Sequence, residues 1–215
     1  MISEDYQISA RRRFIARAAA AVATLTGLPR IAGASDFAAA ADEHEHDAWM
    51  KAIKAKHRQL FHAMDLNDRA MLLASNYLDA YRDAFGAKPG EAAAVIGVHG
   101  GALALGFTDS AWAKYGFAKA SGLLDPTTKE VAARNIYGAG VPLSVDTLQK
   151  RGVVFLMCNT ALRLTSQALA KARGETAEAV YEDLKASRVP GTILVPAMVV
   201  AINRAEEAGF SYIRV

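Results

Sequence analysis

The sequence predicts an α/β protein with a mostly parallel sheet, helices on both faces and further helices at the N-terminus. The chain has 215 residues, 52% of them hydrophobic, which is enough for one sizeable core. Short apolar runs alternate with helical patterns in the second half of the chain, and this alternation is typical of α/β folds. The apolar runs are continuous, as in strands covered on both faces. The single cysteine excludes a disulfide scaffold.

Helical patterns predominate between residues 48 and 85. One helix is predicted over residues 48–62, and a longer one over residues 67–85. A Lys-Pro-Gly sequence at 88–90 then breaks the helical pattern. Residues 49–88 are therefore predicted to form an N-terminal helical extension, and residues 89–215 to form the α/β domain.

From residue 92 onward, short strands are predicted to alternate with helices. The predicted strands lie at 92–98, 152–157, 192–195 and 211–215. The predicted helices lie at 110–117, 144–150, 159–172, 175–188 and 196–208. Ser144 is the expected N-cap of its helix, and residues 122–140 are expected to be irregular.

Residues 1–34 have the features of a bacterial signal peptide. Consecutive arginines at 11–13 are followed by an apolar stretch at 18–28, which is too short to cross a bilayer. Small residues follow at 32–34, as at a signal cleavage site. Because the arginines stand directly before Phe-Ile, the segment resembles a twin-arginine signal.

Export by this route sets several expectations for the protein. The twin-arginine translocase is the expected partner during export, and the expected location is the periplasm. Cleavage is expected after Ala34, with Ala40 or Ala41 as alternatives. Residues 35–48 then form a flexible linker with an acidic, histidine-containing patch. Because this route carries folded proteins with and without cofactors, the signal identifies no cofactor, and none is assigned.

The charge distribution argues against a nucleic-acid partner. The formal net charge is +3, and this excess lies in residues 1–34. The remaining chain has equal numbers of basic and acidic residues, so a phosphate-binding surface has little support. No run of about 20 uncharged apolar residues occurs, so no stable membrane span is expected. The acidic patch at 42–47 contains His44 and His46, but exposed histidine pairs of this kind bind transition metals only weakly, so no metal site is predicted.

Two segments carry a resemblance to a known family. They read G-V-V-F-L-M-C-N-T-A-L from Gly152 and P-G-T-I-L-V-P, followed by a helix and F-S-Y-I, from Pro190. Over residues 92–215 the chain resembles the DsrE/DsrF-like family, most closely its exported members with twin-arginine signals. The resemblance implies a flavodoxin-like domain that assembles as a homo-oligomer. It also implies a cysteine that carries sulfur as a persulfide, and that cysteine matches Cys158.

Cys158 is also a candidate site residue on physical grounds. It follows a buried strand and precedes a helix, at the carboxyl edge where open α/β sheets bind ligands. Amide groups at the start of a helix stabilise a thiolate, the nucleophilic form of cysteine. His99 follows another strand and could act as a base or thiolate partner. Asn159 and Thr160 could cap the helix or bind an anion.

Two functions from different classes stay open at this point. In the first, the chain is a thiol or persulfide carrier, or a redox protein, that uses Cys158 with a thiol or sulfur-transfer partner. In the second, it is a non-catalytic module of the periplasm that binds a small ligand or a protein. A lone cysteine after an apolar strand is also often a small buried hydrophobe. The sequence therefore leaves open whether the chain is an enzyme.

Overall fold

A five-stranded, all-parallel sheet forms the centre of the computed structural model, which describes residues 45–215. The strands are β1 (His57–Ala63), β2 (Ala92–Val98), β3 (Val154–Cys158), β4 (Ile193–Val195) and β5 (Ser211–Arg214). Their order in the sheet is β4-β3-β2-β1-β5. The α/β fold with a parallel sheet is therefore confirmed. The predicted signal peptide at 1–34 and the linker up to residue 44 lie outside the described residues.

Helices cover both faces of this sheet. They are α1 (Ala48–Ala52), α2 (Arg69–Phe85), α3 (Asp109–Tyr115), α4 (Val145–Lys150), α5 (Asn159–Arg173), α6 (Ala177–Ala186) and α7 (Met198–Glu207). A 3-10 helix (Gly100–Gly106) follows β2 directly. On one face, Tyr77 of α2 packs edge-on against Phe61 of β1, with ring centroids 6.0 Å apart. On the other face, Met198 of α7 lies directly over Gly97 of β2.

The strand order reverses at the seam between β1 and β5. From β1 to β4 the chain advances across the sheet in one direction, and it then returns to place β5 on the free side of β1. This differs from flavodoxin itself, in which the first strand lies between the second and third. Open α/β sheets bind ligands at the carboxyl ends of strands beside such a reversal. The carboxyl edge near β1 is therefore the expected position of a ligand site.

The predicted helix over residues 48–62 is wrong beyond Ala52. Residues His57–Ala63 form β1, which pairs in parallel with β2 on one side and with β5 on the other. The last four residues of β1 are buried. Because β1 is an inner strand, residues 49–88 belong to the α/β domain and do not form a helical extension to it. The second predicted helix is confirmed as α2.

The end of the predicted flexible linker is also folded. Residues Glu45–Asp47 form a 3-10 turn that leads into α1. Asp47 is buried and accepts a hydrogen bond from Nε of Arg204 in α7, at 3.1 Å. The final residues of the linker are therefore part of the packed domain, because a long-range ion pair holds them there.

The predictions after residue 92 agree with the structure within a few residues at each end. Ser144 caps α4 as expected, since its hydroxyl accepts the amide of Thr147 at 3.2 Å. Between α3 and α4 the described chain has no helix or strand apart from an isolated bridge between Leu124 and Val131. This agrees with the irregular segment expected at 122–140.

Candidate functional site

Three neighbouring strands bring a nucleophilic or titratable side chain to the carboxyl edge of the sheet. These are His62 of β1, His99 directly after β2, and Cys158 at the end of β3. The register pairs His62 with Gly97, and Gly97 with Leu156. Because side chains alternate along a strand, His62, His99 and Cys158 all lie on the same face of the sheet as Gly97.

The sulfur of Cys158 accepts hydrogen bonds from the first turns of two helices. The amide of Ala161 in α5 lies 3.4 Å from Sγ, and the amide of Met198 in α7 lies 3.3 Å from it. Cys158 is itself the N-cap of α5, whereas the N-cap of α7, Ala197, provides no side-chain acceptor. One sulfur therefore caps two helices. Both amide donors are therefore satisfied inside the protein by the same side-chain acceptor.

Cys158 is also enclosed by the fold. Its side chain is only 2% exposed, and it belongs to the continuous hydrophobic core. The carbonyl of Pro196 accepts both the amide and the hydroxyl of Thr160, at 3.3 and 3.1 Å, and so ties α5 to the segment before α7. At 2% exposure, a reagent would reach the sulfur only after part of the enclosing structure moves. Burial thus gives Cys158 a structural role whether or not it also reacts.

His62 and His99 form a stacked pair beside the sulfur-bearing strand. Their ring centroids are 5.7 Å apart, with 18° between the ring planes. Nδ1 of His62 lies 3.2 Å from the hydroxyl of Tyr212 in β5. Within the described residues, Nε2 of His62 and Nδ1 of His99 are buried without a hydrogen-bond partner. Buried polar atoms of this kind are uncommon and point to a functional or solvent-linked role.

The surroundings of His62 favour its neutral form. Burial lowers the pKa of His62 below its usual value of 6.5, and the nearby charges of His99 and Arg214 lower it further. Arg214 is the register partner of His62 across the β1–β5 seam. A neutral imidazole can exchange a proton near neutral pH, and this is the property that a partner for a thiol requires.

We predict that protonation of His62 destabilises the fold in mild acid. Because the pKa of His62 is lower in the folded chain than in the unfolded chain, the unfolded state takes up the proton first as the pH falls. This stability contribution should be complete above pH 6.5 and should decrease as the pH falls below that value. The free energy of unfolding in urea, compared between about pH 7.5 and about pH 5, measures this loss. Both values lie about one unit or more from the usual histidine pKa, so the unfolded chain is mainly neutral at the first and mainly protonated at the second.

A matched pair of variants tests this assignment. His62→Gln should reduce the loss of stability in mild acid. His57→Gln should leave the loss in place, since His57 stacks on Tyr81 at the opposite end of the same strand. Equal pH dependence in the wild type and in His62→Gln would contradict the prediction.

The side chains of Asn159 and Thr160 have partners other than the ones expected. Oδ1 of Asn159 accepts the hydroxyl of Tyr181 in α6, at 2.8 Å, and the Thr160 hydroxyl donates to the carbonyl of Pro196. Neither caps α5, because Cys158 does so. Their expected role as caps is therefore wrong, and their role toward a bound anion stays a prediction.

Sequence reasoning missed His62 as a site residue, and with it the contacts that His62 makes with Tyr212 and Arg214 of β5. The prediction of a helix over residues 48–62 removed His62 from the sheet edge. The available signal was the apolar pair Leu60 and Phe61 directly before His62, which resembles the ends of β2 and β3, where His99 and Cys158 were found.

A cavity of about 490 Å³ opens at the same edge of the sheet. It lies between the residues that follow β1 and those that follow β2. Its lining consists of Asp65, Leu66, Gly100, Gly101, Leu103, Ala104, Phe117, Ala120, Ser121 and Thr165. Its volume is in the range of about 300–1,000 Å³ that small-molecule sites occupy.

Other site types receive no support from residues 45–215. In this part of the chain, no group of three or more His, Cys, Asp or Glu side chains is placed to hold a metal ion. Over the same residues, every helix falls short of the length or the hydrophobicity that a membrane crossing requires.

The fold and the side chains at the carboxyl edge of the sheet define the class of protein. It is an α/β protein with an all-parallel five-stranded sheet and a candidate site at that edge. Comparison with known protein families and with curated protein sequences finds no match. The chain is similar to a solved structure described as a protein of unknown function, MTH1491 from Methanobacterium thermoautotrophicum. The two are 19% identical with a TM-score of 0.41, and the match covers 74% of this chain and 99% of that one.

Proposed function

We propose that the chain is an exported thiol or persulfide carrier of the DsrE/DsrF-like type, and that Cys158 holds the sulfur. In this proposal the mature protein works in the periplasm as a homo-oligomer. The observation that supports it most directly is the pair of helix-terminal amides that donate to Sγ, from Ala161 and Met198. Thiolates stabilised in this way are the nucleophiles of sulfur chemistry.

The proposed reaction is a balanced exchange between thiols. The Cys158 thiolate attacks the outer sulfur of a donor persulfide, and a new sulfur–sulfur bond forms. The bond between the two donor sulfurs breaks, and its electron pair leaves with the donor as a thiolate. Cys158 then carries the persulfide, and an acceptor thiolate removes the outer sulfur by the same step. The exchange needs no external oxidant or reductant.

His99 is the proposed proton partner for this exchange. It follows Val98, whose register partner Met157 directly precedes Cys158, so His99 and Cys158 occupy neighbouring positions at the edge. An imidazole in this position can accept the thiol proton when the sulfur becomes nucleophilic. The backbone amide of His99 donates to the carbonyl of Ala63 at 3.0 Å, which fixes the residue at the edge.

Because Cys158 is buried, the proposal includes an opening step. The proposed opening segment is Pro196 to Met198, because the amide of Met198 contacts Sγ and the carbonyl of Pro196 bonds to Thr160. Opening of this segment would expose Sγ and would remove one amide donor from it. Sulfur uptake is then expected to be slow in the resting chain and faster when a partner or a substitution displaces the start of α7.

Intact-protein mass spectrometry tests the carrier function. The folded chain is treated with a low-molecular-weight persulfide, and an adduct of one sulfur atom is the expected result. Cys158→Ser, which keeps an acceptor for both amides, should give no adduct. His99→Gln should give the adduct more slowly, with a changed pH dependence. If the wild type remains unmodified after long exposure while the urea-unfolded chain reacts, the carrier function is wrong.

The second candidate is a non-catalytic module that binds a small ligand or a protein partner. Two observations favour it: the burial of Cys158, and the cavity between the residues that follow β1 and β2. In this case Cys158 acts only as the cap of α5 and α7. Saturable binding at the cavity by a chain that takes up no sulfur would support this function over the carrier.

A further inference from the structure

We infer that the cavity beside β1 and β2 is a binding site for a small organic ammonium compound, such as a quaternary amine. The inference goes beyond the carrier function and does not depend on Cys158, which does not line the cavity. It rests on the way the loops form the cavity, on the residues that line it and on the charge at its edge.

The wall of the cavity is built by the loop after β1 and the 3-10 helix after β2, which lie against each other. The amide of Ala102 donates to the carbonyl of Met64 at 3.0 Å, which joins this helix to the loop after β1. Gly100 has a positive φ of 56°, and a Cβ at this position would lie 3.1 Å from the carbonyl oxygen of Met64. Glycine therefore allows an approach that a larger residue would hinder.

The lining is largely apolar, with an aromatic ring and one carboxylate. Leu66, Leu103 and Ala104 provide an apolar surface, and Phe117 contributes the ring. Among the described residues that line the cavity, Asp65 is the only charged one. No hydrogen bond or ion pair engages its carboxylate within the described chain, and Asp65 is exposed, so the charge faces solvent at the cavity.

This combination of groups complements an alkylammonium ion. A positive charge is attracted by the carboxylate of Asp65, while methyl groups contact the apolar wall and the Phe117 ring, one face of which is stacked on Phe107 with ring centroids 5.1 Å apart. An anion would be repelled by Asp65, and no cationic side chain lines the cavity within the described residues to compensate. A neutral apolar molecule would lack the contribution of the carboxylate. The charge of the lining therefore selects for a cation.

A pair of probes that differ only in charge tests the inference. Choline carries the quaternary ammonium group. Its uncharged carbon isostere is 3,3-dimethylbutan-1-ol, called dimethylbutanol below. Titration calorimetry of the full chain should show saturable binding of choline, with dimethylbutanol weaker by about twofold to fivefold. Asp65→Asn should weaken choline binding by a similar factor, whereas Asp68→Asn, which lies outside the cavity, should not.

A substitution that fills the cavity provides a second measurement. Ala120 is an exposed residue of the lining, and Ala120→Trp should abolish choline binding without loss of the folded structure by circular dichroism. Equal affinity for the two probes, unchanged choline affinity in Asp65→Asn, or the absence of saturable binding would each overturn the inference. None of these outcomes affects the sulfur adduct at Cys158, so the two proposals fail separately.

Discussion

Replacement of Cys158 by alanine is expected to lower the free energy of unfolding by about 2 kcal/mol. The sulfur is the acceptor for the amides of Ala161 and Met198, and alanine would leave both donors without it. Because the position is 2% exposed, water is poorly placed to replace the sulfur. Urea unfolding at pH 7 measures the loss, with the sulfur adduct scored on the same sample.

Serine at position 158 separates the structural role of the cysteine from its chemical role. A hydroxyl accepts amide hydrogen bonds as an N-cap, so Cys158→Ser should be more stable than Cys158→Ala by about 1 kcal/mol. Both variants should fail to take up sulfur. An alanine variant as stable as the wild type would show that the amides are satisfied in another way, and the double-cap interpretation would then be wrong.

The part of the fold that depends on local sequence could be predicted. The strands β2 and β3 are continuous apolar runs bounded by glycine or polar residues, and Cys158 follows the second of them directly. The start of α5 at Asn159 follows from the same boundary. These features require only the identity of neighbouring residues, so the sequence contains the information.

The strand β1 could not be predicted in the same way. Its first residues are polar, and the apolar part consists of Leu60, Phe61 and Ala63 around His62. A short run of this kind fits a helix or a strand equally well. The strand is stabilised by parallel pairing with β2 and β5, both of which are distant in the sequence. Non-local pairing therefore decided the structure of this segment.

Only the part of the candidate site that is formed by residues close together in the sequence could be predicted. The sequence places Cys158 and the start of α5 together, but the second amide donor comes from Met198, which is 40 residues further along the chain. The pairing of His62 with His99 and Tyr212 likewise depends on the position of β1 between β2 and β5. Contacts of this type follow from the strand order and not from any motif.

Gly97→Val is expected to destabilise the fold by about 3 kcal/mol and to increase the reactivity of Cys158. A Cβ at Gly97 would lie 2.6 Å from Sδ of Met198, which is only 1% exposed, so the two additional methyl groups of valine require this buried side chain to shift. The substitution should therefore push the start of α7 away from the sheet. This displacement would weaken the bond from the Met198 amide to Sγ.

A compensating substitution tests whether this contact is the cause. Met198→Ala alone should cost about 2–5 kcal/mol, because it removes a buried side chain. In the double variant, valine at 97 occupies the space that Met198 leaves, so the combined loss should be at least 1 kcal/mol smaller than the sum of the single losses. Thiol labelling of Cys158 should be fast in Gly97→Val and should slow again in the double variant. Additive losses of stability, or equal labelling rates in all variants, would mean that the Gly97–Met198 contact does not control access to the sulfur.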